Sequence, residues 1–239
     1  RPPPTFYFLP FTSPLALTAP IPTLPRPPRR FRRFRRFRRA ALVLLGLAVV
    51  LVLLAAFHRP LLSAAAAWWI VDSRTFETVD LIVIPGGGIE TRPSGAAELY
   101  HAGKSQRLAV LKTEEHPTVS MGIRPPDHEL EYAVLEKLQV PADAVITLGD
   151  GVASTWDEVE ATRAWCLEHK PRAIAIVTEV FSTRRVRYAY ETRLRDLPVE
   201  IHVVAVPAIG YTSADWWLDE RGLIAFQNEV VKWGYYRIK

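Results

Sequence analysis

The sequence predicts an α/β protein: a three-layer α/β/α domain with a parallel sheet of about five strands, preceded by one N-terminal transmembrane helix. Three observations lead to this fold class. Short apolar runs alternate with longer stretches of helical periodicity, which is the pattern of repeated βα units. The apolar runs are continuous, as in strands that are covered on both faces. Finally, an arginine-rich segment leads into eighteen uncharged, apolar residues, 40–57.

The N-terminal region is predicted to comprise a disordered, proline- and arginine-rich cytoplasmic tail (1–39), a membrane anchor (40–57) and a linker (58–78). Eighteen helical residues rise roughly 27 Å, close to the thickness of the hydrocarbon core of a bilayer. Because arginines flank only the N-terminal side, the positive-inside rule places the N-terminus in the cytoplasm and the following domain across the membrane. A cleavable signal peptide is the alternative, since alanines 65–67 offer small residues for cleavage.

The net positive charge of the chain comes from its tail and anchor, residues 1–57. The whole sequence has a net charge of +5, whereas residues 58–239 contain 20 Lys and Arg against 25 Asp and Glu. An arginine run beside a membrane span favours contact with anionic headgroups. The acidic domain lacks the basic surface of a duplex-binding protein. The lipid bilayer is therefore an expected partner, and nucleic acid is not.

The domain over residues 79–239 is predicted element by element from its periodicity. Five aliphatic runs are expected to be strands: 80–85, 108–111, 144–148, 173–178 and 201–206. Helices are expected at 93–102, 128–138, 155–169 and 183–196, and a last helix near Asp215. The segment 112–126 is the longest irregular piece and a candidate lid or binding loop. For the aromatic C-terminus, core packing is the default and contact with the membrane interface is the alternative.

A ligand of such a sheet binds beyond the carboxyl ends of the strands, where the strand order reverses. The first strand ends there in Gly86, Gly87 and Gly88, which permit positive φ angles and let backbone N–H groups converge on an anion. Arg92 follows and is expected to clamp a phosphate or carboxylate. The alternative is that the glycines only form a tight turn between strand and helix.

A second segment at this edge contains Ser154, Thr155 and Glu158, at the start of a predicted helix. Thr155 and Glu158 have the spacing of a capping box. The functional alternative is that the same helix N-terminus presents N–H groups and a hydroxyl to the ligand. Glu158 and Asp80 are the candidates for proton transfer.

A third segment supplies hydroxyls from Thr178 and Ser182 and cations from Arg184 and Arg185, one of which is expected to face the crevice. The 112–126 loop adds Glu114, Glu115 and His116, but without the spacing of a metal site. No metal is therefore expected, and the sequence identifies no cofactor.

The order of these segments resembles the YdcF, SanA and ElyC family. The resemblance covers about residues 70–210 and rests on the triple-glycine turn, an Arg-to-Gly stretch at 92–103, a Ser-Thr-x-x-Glu helix start and a Thr-x-x-Phe-x-x-Arg-Arg segment. It implies a Rossmann-like fold in a bacterial inner-membrane protein with a periplasmic domain. It also implies a role in cell-envelope integrity and in polysaccharide or peptidoglycan precursor metabolism.

The chain departs from the family pattern at two places. Ser182 stands where family members usually have histidine, and residues 111–115 replace a Ser-Gly-Gly-like turn. A hydroxyl does not titrate near neutral pH, so a general acid or base would be missing there.

Two main hypotheses of function follow. In one, the protein is an envelope enzyme that acts on a phosphorylated or lipid-linked precursor bound in an anion-binding crevice. In the other, it is a membrane-tethered binding or scaffold protein that uses the same crevice without catalysis. A nucleotide or S-adenosylmethionine site of Rossmann type is a third alternative.

Overall fold

The computed structural model describes the backbone of residues 29–238 and the side chains of residues 37–238. The chain divides into two compact units, Arg1–Ala55 and Ala56–Lys239. Most of the predicted disordered tail, residues 1–28, lies outside the described residues.

The first helix, α1, spans Arg29–Trp69. Within the described part of the chain, its stretch Phe37–Trp69 is the one helix that is long and apolar enough to cross a membrane. Its large apolar side chains from Leu42 to Phe57 are each at least 50% exposed, as is typical of a helix that lipid surrounds. Residues 29–39 were expected to be disordered, but they are helical, since α1 begins at Arg29, before its apolar part.

The five predicted strands form one parallel sheet: β1 Leu81–Ile84, β2 Leu108–Thr113, β3 Val145–Val152, β4 Ala173–Glu179 and β5 Glu200–Val206. Their order is β3-β2-β1-β4-β5. All of β1 is buried, as the continuous apolar runs predict. Because the order reverses between β1 and β4, a crevice opens at the carboxyl ends of these two strands.

Helices cover both faces of the sheet: α2 Arg92–His101, α3 Pro117–Ser120, α4 Asp127–Lys137, α5 Thr155–His169, α6 Thr183–Arg193 and α7 Glu220–Ile238. One core cluster joins α2 and α4 to the sheet through Ala96, Ala97 and Leu135. The other joins α5 and α6 to the opposite face through Val159 and Ala189. The predicted three-layer α/β/α fold is confirmed.

Two boundaries differ from the prediction for local reasons. The segment 112–126 is not irregular throughout, because β2 extends to Thr113 and Pro117 begins the short helix α3. The last helix begins at Glu220 rather than near Asp215, because a 3₁₀ turn, Trp216–Leu218, comes first.

The end of α1 is part of the folded domain. Residues 58–78 were expected to be a linker, but they are helical as far as Trp69. Ala66 and Trp69 are buried in a third core cluster, which also contains Phe181 and Trp216. The chain then runs beside β5, where the N–H of Ser73 donates to the carbonyl of Val203 at 2.8 Å.

Candidate functional site

An open cleft of about 770 Å³ lies at the carboxyl edge of the sheet, at the point where the strand order reverses. Residues from the β1–α2 turn, the loop after β2, the start of α5, the end of β4, the start of α6 and α7 line it. Of the residues predicted for the site, the structure brings together Gly86, Gly87, Arg92, Ser154, Thr155, Glu158, Thr178, Ser182 and Arg185.

The glycine turn has a shape that other residues would not fit. A Cβ on Gly86 would lie 2.1 Å from Cγ2 of Thr113 on β2, so the turn approaches the neighbouring strand closely. Gly87 and Gly88 have φ angles of 81° and 65°, a region that favours glycine. The Gly86 N–H donates to Oε1 of Glu158 at 2.8 Å. The turn is therefore fixed to the start of α5.

Arg92 mainly holds this turn in place. Its Nη1 donates to the carbonyls of Pro85 and Gly86 at 3.1 and 2.5 Å. Its Nε and Nη2 donate to Oε2 of Glu179 at 2.8 and 2.6 Å. Burial alone would raise the pKa of Glu179, but Arg92 and the Thr91 hydroxyl outweigh it and hold that pKa below its usual value. The guanidinium expected to clamp an anion is thus largely occupied by protein groups.

The N-cap of α5 lies one residue earlier than in the predicted capping box. Ser154 is the N-cap, and its Oγ accepts from the N–H of Asp157 at 3.3 Å and donates to the Asp157 carboxylate at 2.8 Å. This shift frees Glu158 from capping, so that its carboxyl turns inward and lines the cleft. Burial raises the pKa of Glu158, although Arg92 and the Gly86 N–H act in the opposite direction. A buried carboxyl with a raised pKa is suited to proton transfer near neutral pH.

Two hydroxyls from the third segment line the cleft. Thr178, near the end of β4, is completely buried, and its hydroxyl has no hydrogen-bond partner among the described residues. Ser182 is also buried, and it makes no side-chain capping bond at the start of α6. Because a buried hydroxyl without a partner costs free energy, Thr178 marks a place where a ligand atom would be favourable.

Arg185 is the cation of the third segment that faces the cleft. Its Nε and Nη2 donate to the carboxylate of Glu229 on α7 at 2.7 and 3.1 Å, and its Nη1 donates to the hydroxyl of Thr155. Burial would lower the pKa of Arg185, but the bonds to Glu229 outweigh it and raise that pKa. Lys232 Nζ lies 3.5 Å from Glu229 Oε1. Two cations therefore share one buried carboxylate.

Three predicted residues lie outside the cleft. Arg184 stacks on Trp68, with its guanidinium carbon 4.3 Å from the ring centre, and donates to the backbone carbonyl of Trp69 at 3.0 Å. Asp80 lies at the opposite edge of the sheet, where its carboxylate accepts from the N–H of Arg172 at 2.6 Å. Gly88 faces Glu179, because a Cβ there would lie 2.0 Å from Oε1.

Glu114, Glu115 and His116 of the long loop do line the cleft. Among the side chains of residues 37–238, the structure has no group of three or more His, Cys, Asp or Glu placed to hold a metal ion.

Sequence reasoning missed two acidic residues near the site. Glu229 is the partner of Arg185, and the local sequence does not mark it as buried because it directly follows Gln227 and Asn228. Glu131 on α4 is completely buried, and neither of its carboxylate oxygens has a partner among the described residues. Burial raises the pKa of Glu131 to about 8, with Arg92 acting against this and Glu158 adding to it. Nothing in the local sequence separates Glu131 from the solvated glutamates of the same helix.

Comparisons with protein-family models, curated proteins and solved structures give no match for this chain. The resemblance to the YdcF, SanA and ElyC family stays a prediction. The cleft itself offers backbone N–H groups, two hydroxyls and two cations that can bind oxygen atoms, and one carboxyl that can exchange a proton.

Proposed function

We propose that the protein is a membrane-anchored protein of the bacterial cell envelope whose cleft binds a phosphorylated ligand. The observation that carries this proposal is the buried, unpartnered hydroxyl of Thr178, a residue that lines the cleft. A phosphate oxygen there would accept the missing hydrogen bond. Helix N-termini favour anions because their first N–H groups lack intrahelical partners.

The cations on the α6 and α7 side of the cleft fit a ligand of this kind, whereas the loop after β2 adds the carboxylates of Glu114 and Glu115. Arg185 and Lys232 bring two positive charges to the single carboxylate of Glu229. One positive charge is then left to balance an anion. Glu158, at the same wall, is held in place by the Gly86 N–H and has a raised pKa. In this proposal a water molecule attacks the phosphorus, the bond to the leaving oxygen breaks, and the Glu158 carboxyl donates its proton to that oxygen.

The setting in the envelope is supported by the N-terminal helix and by the family resemblance. The stretch Phe37–Trp69 is long and apolar enough to span a membrane, and the arginines before it favour a cytoplasmic N-terminus. The domain would then lie on the periplasmic side. A lipid-linked precursor of the cell wall or of an envelope polysaccharide would be available to it there.

A ribose-containing ligand, such as S-adenosylmethionine or a nucleotide, is the second candidate. Glu114 and Glu115 directly follow β2 and line the cleft. In Rossmann-type sites an acidic residue near this strand end binds ribose hydroxyls.

A titration of the full-length protein in lipid nanodiscs tests both candidates, with inorganic phosphate, a short-chain polyprenyl phosphate and S-adenosylmethionine as probes. Thr178→Val should weaken phosphate binding about tenfold or more, because hydrogen bonds to charged groups contribute about 1.5–3 kcal/mol. Thr162→Val is the matched control, since Thr162 is equally buried but its hydroxyl donates to the carbonyl of Glu158 inside the protein.

The outcomes separate the candidates. Phosphate binding that survives Thr178→Val unchanged would refute the phosphate site. Binding of S-adenosylmethionine alone, weakened by Glu114→Gln with Glu115→Gln, would favour the second candidate. Glu158→Gln should retain binding and abolish any turnover of the polyprenyl phosphate.

A further inference from the structure

The last helix, α7, has an apolar face that the protein leaves uncovered. Leu223, Ile224, Val230, Val231 and Ile238 are 46%, 51%, 39%, 66% and 90% exposed. Leu223 and Val230, Ile224 and Val231, and Val231 and Ile238 are each seven residues apart, which places all five on one side of the helix. Isolated exposed apolar residues are normal, whereas five on one side of a helix, interrupted there by the exposed Gln227, indicate an interaction surface.

The opposite side of α7 is packed and contains the polar contacts of the helix. Phe226 and Trp233 contact Trp69 at the end of α1, with ring centres 5.6 and 5.7 Å apart from it. Glu229 is buried in its ion pair with Arg185. The packed side thus fixes the rotation of α7, and the uncovered apolar face is a stable feature of the fold.

Basic residues flank the uncovered face. Helical geometry places Arg221 and Lys232 along one border and Arg237 along the other, and all three are exposed. On the turns from Leu223 onward, the acidic residue of the helix is Glu229, which points into the protein. An apolar face with basic borders is the pattern of a helix that lies at an anionic membrane surface.

We propose that α7 docks on the surface of the bilayer through this face. The occupant that we infer is a lipid surface rather than another protein, because the basic borders fit anionic headgroups and a helix long enough to cross a membrane precedes this domain in the chain. Residues 56–69 belong to the same compact unit as α7 and continue the apolar helix that is long enough to cross a membrane. Trp69, which α7 contacts, is the last residue of that helix.

Docking in this way has a consequence for the cleft. Four residues of α7, namely Glu229, Lys232, Tyr235 and Tyr236, line the cleft. The helix that contacts lipid therefore forms one wall of the site. This step rests on the proposed phosphate site: the ligand would be a lipid phosphate that enters the cleft from the bilayer surface, with Lys232 at the border between lipid and cleft.

The test uses the full-length protein in nanodiscs of phosphatidylcholine and phosphatidylglycerol, with an environment-sensitive NBD label at Val231→Cys. The matched label is at Glu136→Cys on α4, an exposed position on the opposite face of the sheet. Cys166 is buried, and burial raises the pKa of its thiol to about 11, so it stays unlabelled. Brominated acyl chains should quench the label at position 231 several-fold more than the label at 136.

A pair of charge substitutions completes the test. Ile224→Glu with Ile238→Glu should reduce quenching at position 231 to the level at 136, whereas Leu167→Glu, which alters a 52% exposed leucine on α5, should not. Equal quenching at both label positions would overturn the proposal. A blue-shifted label at 231 without quenching by brominated lipid would also overturn it, because a second copy or another protein would then cover the face.

The same samples separate this proposal from that of the phosphate site. Ile224→Glu with Ile238→Glu should weaken binding of a polyprenyl phosphate presented in the bilayer and leave binding of inorganic phosphate unchanged. If lipid quenches the label at 231 but no phosphate binds, docking stands and the phosphate site fails. If phosphate binds and lipid does not quench the label, docking fails alone.

Discussion

Replacing Thr178 by valine should stabilise the protein while it weakens ligand binding. The hydroxyl of Thr178 is buried without a partner among the described residues, and such a group costs about 1–3 kcal/mol of folding free energy. Valine has nearly the same shape without the hydroxyl. We therefore expect the free energy of unfolding to rise by about 1 kcal/mol, which raises the melting temperature by about 2–4 °C in a domain of this size.

For Thr162→Val, at a threonine that is equally buried, we expect the opposite effect on stability. The hydroxyl of Thr162 donates to the carbonyl of Glu158 at 2.9 Å and lies 3.2 Å from the Tyr190 hydroxyl. Its removal also leaves the buried Tyr190 hydroxyl without this partner. The free energy of unfolding should fall by about 1–3 kcal/mol.

Thermal unfolding followed by tryptophan fluorescence, with and without inorganic phosphate, measures both effects. At a phosphate concentration 100 times the dissociation constant, the wild type should gain about 2.7 kcal/mol. Thr178→Val should gain clearly less, and Thr162→Val should gain as much as the wild type. If Thr178→Val is destabilised like Thr162→Val, the Thr178 hydroxyl is already bonded in the folded protein and the reasoning behind the site is refuted.

Three further predictions concern the acidic and glycine positions around the cleft. Burial raises the pKa of Glu131 from 4.5 to about 8, so between these pH values the folded protein keeps a proton that the unfolded chain releases. The free energy of unfolding should therefore fall by on the order of 5 kcal/mol as the pH rises from 4.5 to about 8. Unfolding titrations at several pH values should show that Glu131→Gln removes this fall. Gly86→Ala should lower the free energy of unfolding by about 1–3 kcal/mol, because the new methyl group crowds the Thr113 methyl group. In a urea titration, Thr113→Ser in the same protein should recover part of this loss. No recovery would contradict the proposed contact. Arg92→Ala should lower the free energy of unfolding by about 3–5 kcal/mol, because it leaves the Glu179 carboxylate buried without its cation. Adding Glu179→Gln to this variant should restore part of the lost stability. An unaltered melting temperature in Arg92→Ala would show that the pair contributes nothing.

The fold was predictable because its signals are local. Each strand is a continuous aliphatic run, and each run ends in glycine or polar residues. These runs, together with the helical periodicity of the stretches between them, define five βα units without any knowledge of tertiary contacts. The helix Thr155–His169 was predicted with the bounds that the structure has.

The roles of the site residues were harder to predict, because they depend on tertiary partners. Two overlapping capping patterns begin at Ser154 and at Thr155, and only the structure shows that the first one forms and leaves Glu158 free to bind Gly86. Arg92 has the right position for a ligand clamp, yet Glu179, eighty-seven residues later, occupies most of it. Glu229 lies on the last helix and acquires its role by packing alone.

The end of α1 decides what a proteolytic cut between the apolar helix and the domain would do. A soluble domain on a flexible stalk can be shed when a protease cuts the stalk, but here the stretch before β1 is built into the fold. Ala66 and Trp69 are core residues, the indole N–H of Trp69 donates to the carbonyl of Phe181 at 2.8 Å, and Ser73 is bonded to β5. A cut after the alanines at 65–67 would remove part of a hydrophobic cluster, Ala66, along with the apolar helix that precedes it. Shedding would therefore damage the domain that it released.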